Sequence, residues 1–468
     1  MKYRICFVLI AVMAMLPFLV FSTLADSDGY LVKFAEGYYP DIYEYNLKEV
    51  NASKGIYTTD DIDGLKKIDE YIEYTSQNCS VSLIRGEEPV SMMSLPRDPA
   101  YPDQWNLECI NADAGWELEA YGNDIKVAVI DSGCFQHDDL KENLLGGKNY
   151  LDGTYDVTDN DGHGTHVSGI IAAQMNDMGS VGAAPKAKIV PLKCFDPSTD
   201  TYAEDILDAI YDAVDVYQCD IINMSWSVQS DNLFLKKAID YADSKGVILV
   251  AAVGNYSSKT LCYPAAYENV IGVSSVAADK TYSSFAQYNN SVLVTAPGER
   301  IISTFNDGGY RYGSGTSQAT PLVSGMAAVA LSVNSKLTSS QFRSILIETV
   351  EDLGEEGYDV HYGYGLVDEA ALLNNVMESI DYYVSPVNVL DGNAYVLIKN
   401  NTASVLNAVS IFSEYNNERF AGCTQAPLKL EPGEEKIVGI NNSGNKISHF
   451  LWNGFDSLTP IAEKREKK

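Results

Sequence analysis

The chain is 468 residues long, about three domains at roughly 150 residues each, so a large hydrophobic core is available and no disulfide staples are required. A net charge of −31 excludes, as a first reading, nucleic-acid backbones and anionic lipid surfaces, because both call for clustered Lys and Arg. With 46% hydrophobic and 21% charged residues, the composition is that of a folded globular protein, neither disordered nor membrane-embedded.

Lys2 and Arg4 precede an apolar run over 5–20, and small and polar residues close it at Thr23-Leu24-Ala25. That order predicts a secretory signal, residues 1–25, cleaved after Ala25. An uncleaved anchor is the rival reading, but a run this short, interrupted by Pro17, falls below the roughly 17–25 residues a bilayer requires. No later stretch is apolar enough to span. A secreted protein, extracellular or associated with the cell surface, is therefore expected, with no stable membrane span once the signal is gone.

After the signal, a strand pattern opens at Tyr30-Leu31-Val32-Lys33-Phe34 and another recurs at Tyr71-Ile72-Glu73-Tyr74, with a polar, helical stretch over 60–68 between them. This is a small αβ unit. Residues 79–102 lack a sustained period and carry Pro89, Pro96, Pro99 and Pro102, which predicts a linker. The pro-like unit and linker are placed at 26–95.

From 96 to 378, apolar runs of four to six residues alternate with helical patterns, the signature of a mostly parallel sheet covered by helices on both faces. Strands are predicted over 125–130, 188–192, 220–224 and 247–252. Thr201-Tyr202-Ala203-Glu204 and Thr338-Ser339-Ser340-Gln341 fit capping boxes, each followed by apolar residues at helical spacing. The fold class is α/β. Over 379–461 short alternating strands at 394–399, 405–412, 436–440 and 448–452 predict a β-sandwich-like domain, and the charged end at 462–468 reads as a solvated tail.

An open α/β sheet binds ligands at the carboxyl ends of its strands. Asp131 ends the first predicted strand, where a buried carboxylate is costly unless paired, although a helix-capping role accounts for it equally well. The second place is Asp161-Gly162-His163-Gly164-Thr165-His166, which opens a helix and holds two of the chain's five histidines. A His-x-x-His pair could bind metal, but the H-E-x-x-H helix with its Glu base is absent, which argues against a catalytic metal. The third is Gly313-Ser314-Gly315-Thr316-Ser317-Gln318, leading into an apolar helix. A serine there is usually only a cap; in the functional reading the free N–H groups of the helix meet an oxyanion forming beside Ser317. No G-x-S-x-G elbow occurs, which disfavours an α/β-hydrolase.

Asp131, His163 and Ser317, in that chain order on a parallel sheet, carry a specific resemblance. The D-S-G, H-G-T-H-V-S-G and G-T-S-Q-A-T-P blocks resemble the catalytic blocks of the subtilisin-like serine proteases. The resemblance implies Ser317 as nucleophile, His163 as general base and acid, Asp131 as its orienting carboxylate, and Asn255 with the Ser317 N–H as oxyanion donors. It also implies polypeptide substrates bound along Ser225, Trp226 and Ser227 and along Ala252, Val253 and Gly254. The first segment is similar to a subtilase propeptide that assists folding and then inhibits.

A structural Ca²⁺ site follows from the same resemblance, with side chains of Asp139 and Asn176 and carbonyls of Gln174, Met178 and Ser180 as ligands; such oxygen donors suit calcium. Cys262 aligns with a glycine that commonly floors the family's specificity pocket, so its side chain would shorten the pocket, unless it forms a disulfide or turns outward. Eight cysteines are present; without any C-x-x-C pair a zinc site is disfavoured, while export permits disulfides whose pairing the sequence does not choose. The expected function is a secreted serine endopeptidase made as a zymogen. The alternative is a non-catalytic surface or signalling protein of the same fold that acts through its C-terminal domain.

Overall fold

A computed structural model describes residues 30–83 and 100–467, with breaks at 36–37, 39, 41, 43–46, 78–79, 386, 391–392, 417–418, 442–445 and 453–464. The expected signal over 1–25 lies outside these residues, as does most of the expected linker, over 84–99.

The predicted central strands form because their β-branched and aliphatic runs can be buried on both faces of a sheet. The four expected strands are joined by three more, and the seven, in the spatial order Val294–Pro297, Ile271–Val276, Ile248–Ala252, Ile221–Met224, Lys126–Asp131, Lys188–Lys193 and Lys148–Asn149, are paired in parallel throughout. Alternation then divides the side chains between two cores. Val127, Val129, Ile248 and Val250 pack with the helices His163–Ala172 and Thr316–Val333, whereas Ala128, Ile130, Leu249 and Ala251 pack with the helices Ala203–Asp215 and Leu233–Ser244. Both chemically interesting helices therefore share one face. Each starts where strands end, as the sequence pattern predicts. Among the described residues no helix is long and apolar enough to cross a membrane.

The first segment folds as a four-stranded antiparallel sheet, in which Tyr30–Phe34 lies between Ile56–Thr59 and Ile72–Gln77. The polar stretch expected as a helix is a 3-10 helix, Asp63–Tyr71, kinked at Ile68. This unit sits on the Ala203–Asp215 and Leu233–Ser244 helices. Leu31 and Ile56 join their core, and the Tyr74 ring lies 4.9 Å from that of Phe234. Asn51 Nδ2 donates to Asp208 Oδ1 at 3.0 Å, and Lys54 pairs with Asp215 at 3.0 Å with its ammonium 4.0 Å from the Tyr241 ring centre.

Two expectations need correction. The stretch from 79 to 102 is not linker throughout, because Ser80–Leu83 is a strand between Trp226–Ser227 and Thr201–Tyr202, antiparallel to both. Thr201 is drawn into that pairing, so the helix starts one residue later than its capping pattern implies: Tyr202 is the cap, and its N–H donates to Asp205 Oδ2 at 2.9 Å. The Thr338–Gln341 box forms as read. In the C-terminal region, two four-stranded antiparallel sheets share one core built from residues such as Ala394, Val396, Phe412 and Leu451. That region also contains the long strand Arg419–Leu430, for which no expectation was formed. Within the charged end, Arg465–Lys467 adds a strand beside Lys446–Trp452. Finally, no disulfide occurs among the described residues, and Cys109, Cys134, Cys194, Cys219, Cys262 and Cys423 are all free.

Candidate active site

Asp131 is the last residue of its strand and is fully buried. Its Oδ1 accepts from the Ser132 N–H and meets His163 Nδ1, both at 2.8 Å. Burial pushes the Asp131 carboxyl up from the ordinary carboxylate value, and the imidazole and the Ser132 N–H draw it back. The contact needs close backbone approach. Gly162, at φ 98°, caps the histidine helix against the Phe305 ring, and a side chain on Gly164 would strike the Gly133 carbonyl.

Two residues that sequence reasoning passed over hold this arrangement. Asp159, almost fully buried, accepts from the N–H groups of Asp161, Gly162 and Thr165, and from the hydroxyls of Thr165 and Ser132. Ser132 Oγ in turn accepts from the Gly164 N–H at 2.9 Å. A carboxylate here suits a helix N-terminus, and an acidic residue in the turn before the helix was the available signal. Lys193 is buried with its ammonium on the Ser132 and Thr158 carbonyls and on Asp196 Oδ2, at 2.9–3.1 Å. It fixes the loop behind Asp131.

Ser317 is fully buried at the start of its helix. Pro321 has no N–H to give the carbonyl four residues earlier. That carbonyl, of Ser317, instead accepts from Ser225 Oγ at 3.1 Å, while Asn223 Nδ2 donates to Ser225 Oγ at 3.1 Å. The serine is thereby tied to the Ser225–Trp226–Ser227 segment. Asn255 Oδ1 accepts from both the N–H and the hydroxyl of Thr316 at 2.9 Å, which leaves Nδ2 buried with no hydrogen-bond partner. A methyl placed on Gly315 would lie 2.7 Å from Asn255 Nδ2, 2.9 Å from Gln318 Oε1 and 3.0 Å from Ser317 Oγ. These three groups face one small space.

The expected substrate strands flank it. Trp226 and Ser227 pair with Leu83 and Ser82 of the first segment. Ala252 ends its strand, the Val253 N–H donates to the Val273 carbonyl, and the Gly254 N–H donates to Thr316 Oγ1 at 3.3 Å. Cys262 neither pairs nor turns outward: it is buried, its Sγ lies 3.1 Å from where a Gly254 Cβ would be, and Gln287 Nε2 is 3.8 Å away. Burial pushes its thiol above the ordinary value, against the Ser227 hydroxyl and Gln287 amide, which lower it.

The 174–180 loop closes on Asp139. The Gln174 N–H donates to the Asp139 carbonyl at 2.8 Å, and Asp139 Oδ2 accepts from the Ser180 N–H and the Tyr310 hydroxyl, each at 3.1 Å. Asn176 Oδ1 accepts from the Met178 N–H at 3.0 Å. Among the described residues no three His, Cys, Asp or Glu side chains converge as a metal cluster, so any cation here depends on one buried carboxylate with amide and carbonyl oxygens. That donor set fits a hard cation such as Ca²⁺.

Residues 122–365 match the model of the subtilase family. The chain belongs to that family. It is similar to the minor extracellular protease Epr of Bacillus subtilis, 40% identical over 270 residues that make up 58% of this chain and 41% of the relative. It is also similar to subtilisin DY of Bacillus licheniformis, 36% identical over 57% of this chain and 97% of the relative, and to M-protease of Shouchella clausii, 32% identical over 67% of this chain and 76% of the relative. The matched stretch thus spans less than half of Epr but nearly all of subtilisin DY. As a subtilase the chain falls among the serine endopeptidases, hydrolases of peptide bonds, and the matched residues contain Asp131, His163, Asn255 and Ser317.

Proposed function

We propose that this chain is a secreted serine endopeptidase, made as a zymogen, that cleaves polypeptides through an acyl-enzyme. The observation that carries the reading is the 2.8 Å bond between Asp131 and His163 on the same face of the sheet as the Ser317 helix, whose neighbour Asn255 keeps a bare amide. In this reading Ser317 Oγ attacks the peptide carbonyl as His163 takes its proton, and the carbonyl oxygen becomes negative. Asn255 Nδ2 and the Ser317 N–H donate to that oxygen. His163 returns the proton to the leaving amine, and water repeats the sequence on the acyl-enzyme. Asp131 fixes the imidazole and stabilises its charged form. Substrate pairs with the Trp226–Ser227 strand through its main chain, a mode that needs few particular side chains.

The strand Ser80–Leu83 already uses that pairing, which supports the first segment as the enzyme's own inhibitor. A bare amide donor beside Ser317, and a histidine oriented by Asp131, count against a purely non-catalytic role. The test is labelling of the purified protein with a fluorophosphonate. Labelling that is lost in Ser317→Ala is expected; a correctly processed but unreactive wild type would point to the binding alternative.

Calcium, where bound, would be held by Asp139 and Asn176 side chains with carbonyls of Gln174, Met178 and Ser180, and it supplies charge to a buried carboxylate. Because such an ion binds only the folded state, chelation should lower the melting temperature more than the initial rate at low temperature. An unchanged melting temperature on protein verified as metal-free would reject the site.

A further inference from the structure

The residue after the nucleophile has an unassigned place in the site. Gln318 is buried, and its side-chain amide is lodged beside two glycines: a Cβ on Gly313 would come within 3.2 Å of its Cδ and Nε2, and one on Gly315 within 2.9 Å of its Oε1. Its backbone is fixed by the N–H bond to the Gly315 carbonyl at 3.0 Å. From that seat Oε1 accepts the hydroxyl of Ser317 at 3.1 Å. A hydroxyl has one proton to donate. While it is given to Gln318, it is not given to a base.

We propose that Gln318 is a positioning residue that holds Ser317 in a resting orientation, so that acylation begins with transfer of the Ser317 hydroxyl from Gln318 Oε1 to His163. This rests on the reading of Ser317 as nucleophile. The step balances: the Oγ–H rotates about the Cα–Cβ bond, one hydrogen bond is exchanged for another, and then the Oγ–C bond forms as the Oγ–H proton passes to the imidazole and the carbonyl π pair moves onto the oxygen. Gln318 is neither protonated nor consumed. Its carbonyl oxygen also faces the space that Asn255 Nδ2 faces, so an oxyanion forming there meets a repelling oxygen beside its donors. Both effects act on the rate of attack and leave substrate pairing along Trp226–Ser227 untouched.

Replacing Gln318 by methionine or alanine removes the competing acceptor. The expected result is a fluorophosphonate labelling rate and an amide kcat about 2- to 10-fold higher than wild type, the worth of one neutral hydrogen bond, with KM unchanged. Alanine guards against any steric effect of methionine, and melting temperatures show that both variants are folded. Labelling at the wild-type rate or slower in both folded variants, or a change confined to KM, overturns the proposal. Ser317→Ala separates the two readings. Labelling that persists there removes Ser317 as nucleophile altogether, whereas labelling lost there and unaltered in the Gln318 variants removes only the role of Gln318.

Discussion

The aspartate–histidine half of the site and the serine–asparagine half are built differently. Asp131, Ser132, Asp159, Gly164 and Lys193 form a connected set of bonds around His163, supplied from within the first half of the catalytic domain. In the other half, Asn255 Nδ2 has no partner and Ser317 Oγ rests on Gln318. The half that must keep one imidazole tautomer is over-determined, and the half that must receive a new negative charge keeps a donor in reserve. A pre-placed, dry donor is worth more at the transition state than in water, because it need not reorganise when charge appears.

That asymmetry gives the largest expected effect. Asp131→Asn preserves shape but inverts the donor pattern at His163 Nδ1, and kcat at neutral pH should fall by about 10⁴-fold. Asn255→Ala deletes only the reserved donor, and kcat should fall by about 10²–10³-fold with KM little changed. Steady-state kinetics on matched, correctly processed proteins check both. Equal losses, or a loss from Asn255→Ala that appears mainly in KM, would break the contrast.

The two halves also differed in how legible they were. Asp131, His163 and Ser317 stand at strand and helix ends that periodicity and glycine spacing mark locally, and the parallel sheet follows from the same runs. Asp159 carries a local signal, an acidic residue just before the helix whose N–H groups it accepts from, whereas the carbonyl partners of Lys193 lie in other loops, and nothing in a local window distinguishes a buried lysine on carbonyls from a solvated one. Ser80–Leu83 was read as linker because four residues show no sustained period, and its partner strand comes far downstream. Thr201 was misplaced for the same reason: pairing with Val81 outweighs a cap worth about 1 kcal/mol.

Cys262 lies against Gly254, at the position where the resemblance implies the floor of a specificity pocket, and the preference expected at P1 rests on that proposal. A filled floor leaves too little depth for Phe or Tyr at P1, and overpacking a rigid site typically costs about 1–3 kcal/mol. Small and medium P1 residues should be preferred roughly 10- to 100-fold in kcat/KM, and Cys262→Gly should selectively raise cleavage after large aromatics. Peptides that differ only at P1 make the measurement. A wild type that already prefers Phe, unaltered by the substitution, would show that the pocket is formed elsewhere.

The smallest effect concerns the first segment, which sits on the Ala203–Asp215 and Leu233–Ser244 helices. Burial beneath it pushes the Asp208 carboxyl up to about 6, with the Asn51 bond opposing. A carboxyl raised in the bound state favours the complex when protonated, so its contribution is present at low pH and is lost as pH rises through about 6. Asp205 is likewise raised to about 6, but its partner is the Tyr202 N–H at its own helix start. Asp215 moves the other way: burial raises it, but the Tyr241 hydroxyl and the Lys54 ammonium together hold it below the ordinary value of 3.8. Its pairing with Lys54 therefore persists above that value and fails only in stronger acid. Between pH 4 and 7 the Asp208 effect should dominate, and the first segment should bind the Ser317→Ala catalytic domain more weakly as pH rises. The change should be on the order of tenfold or less, since one pKa unit is tenfold and the catalytic domain itself supplies part of the burial. Calorimetric titration of the separated segment at pH 4.5, 5.5 and 6.5 measures it, and Asp208→Asn should flatten the profile. Binding that strengthens with pH, or an Asp208→Asn profile as steep as wild type, would place the sensor at another group.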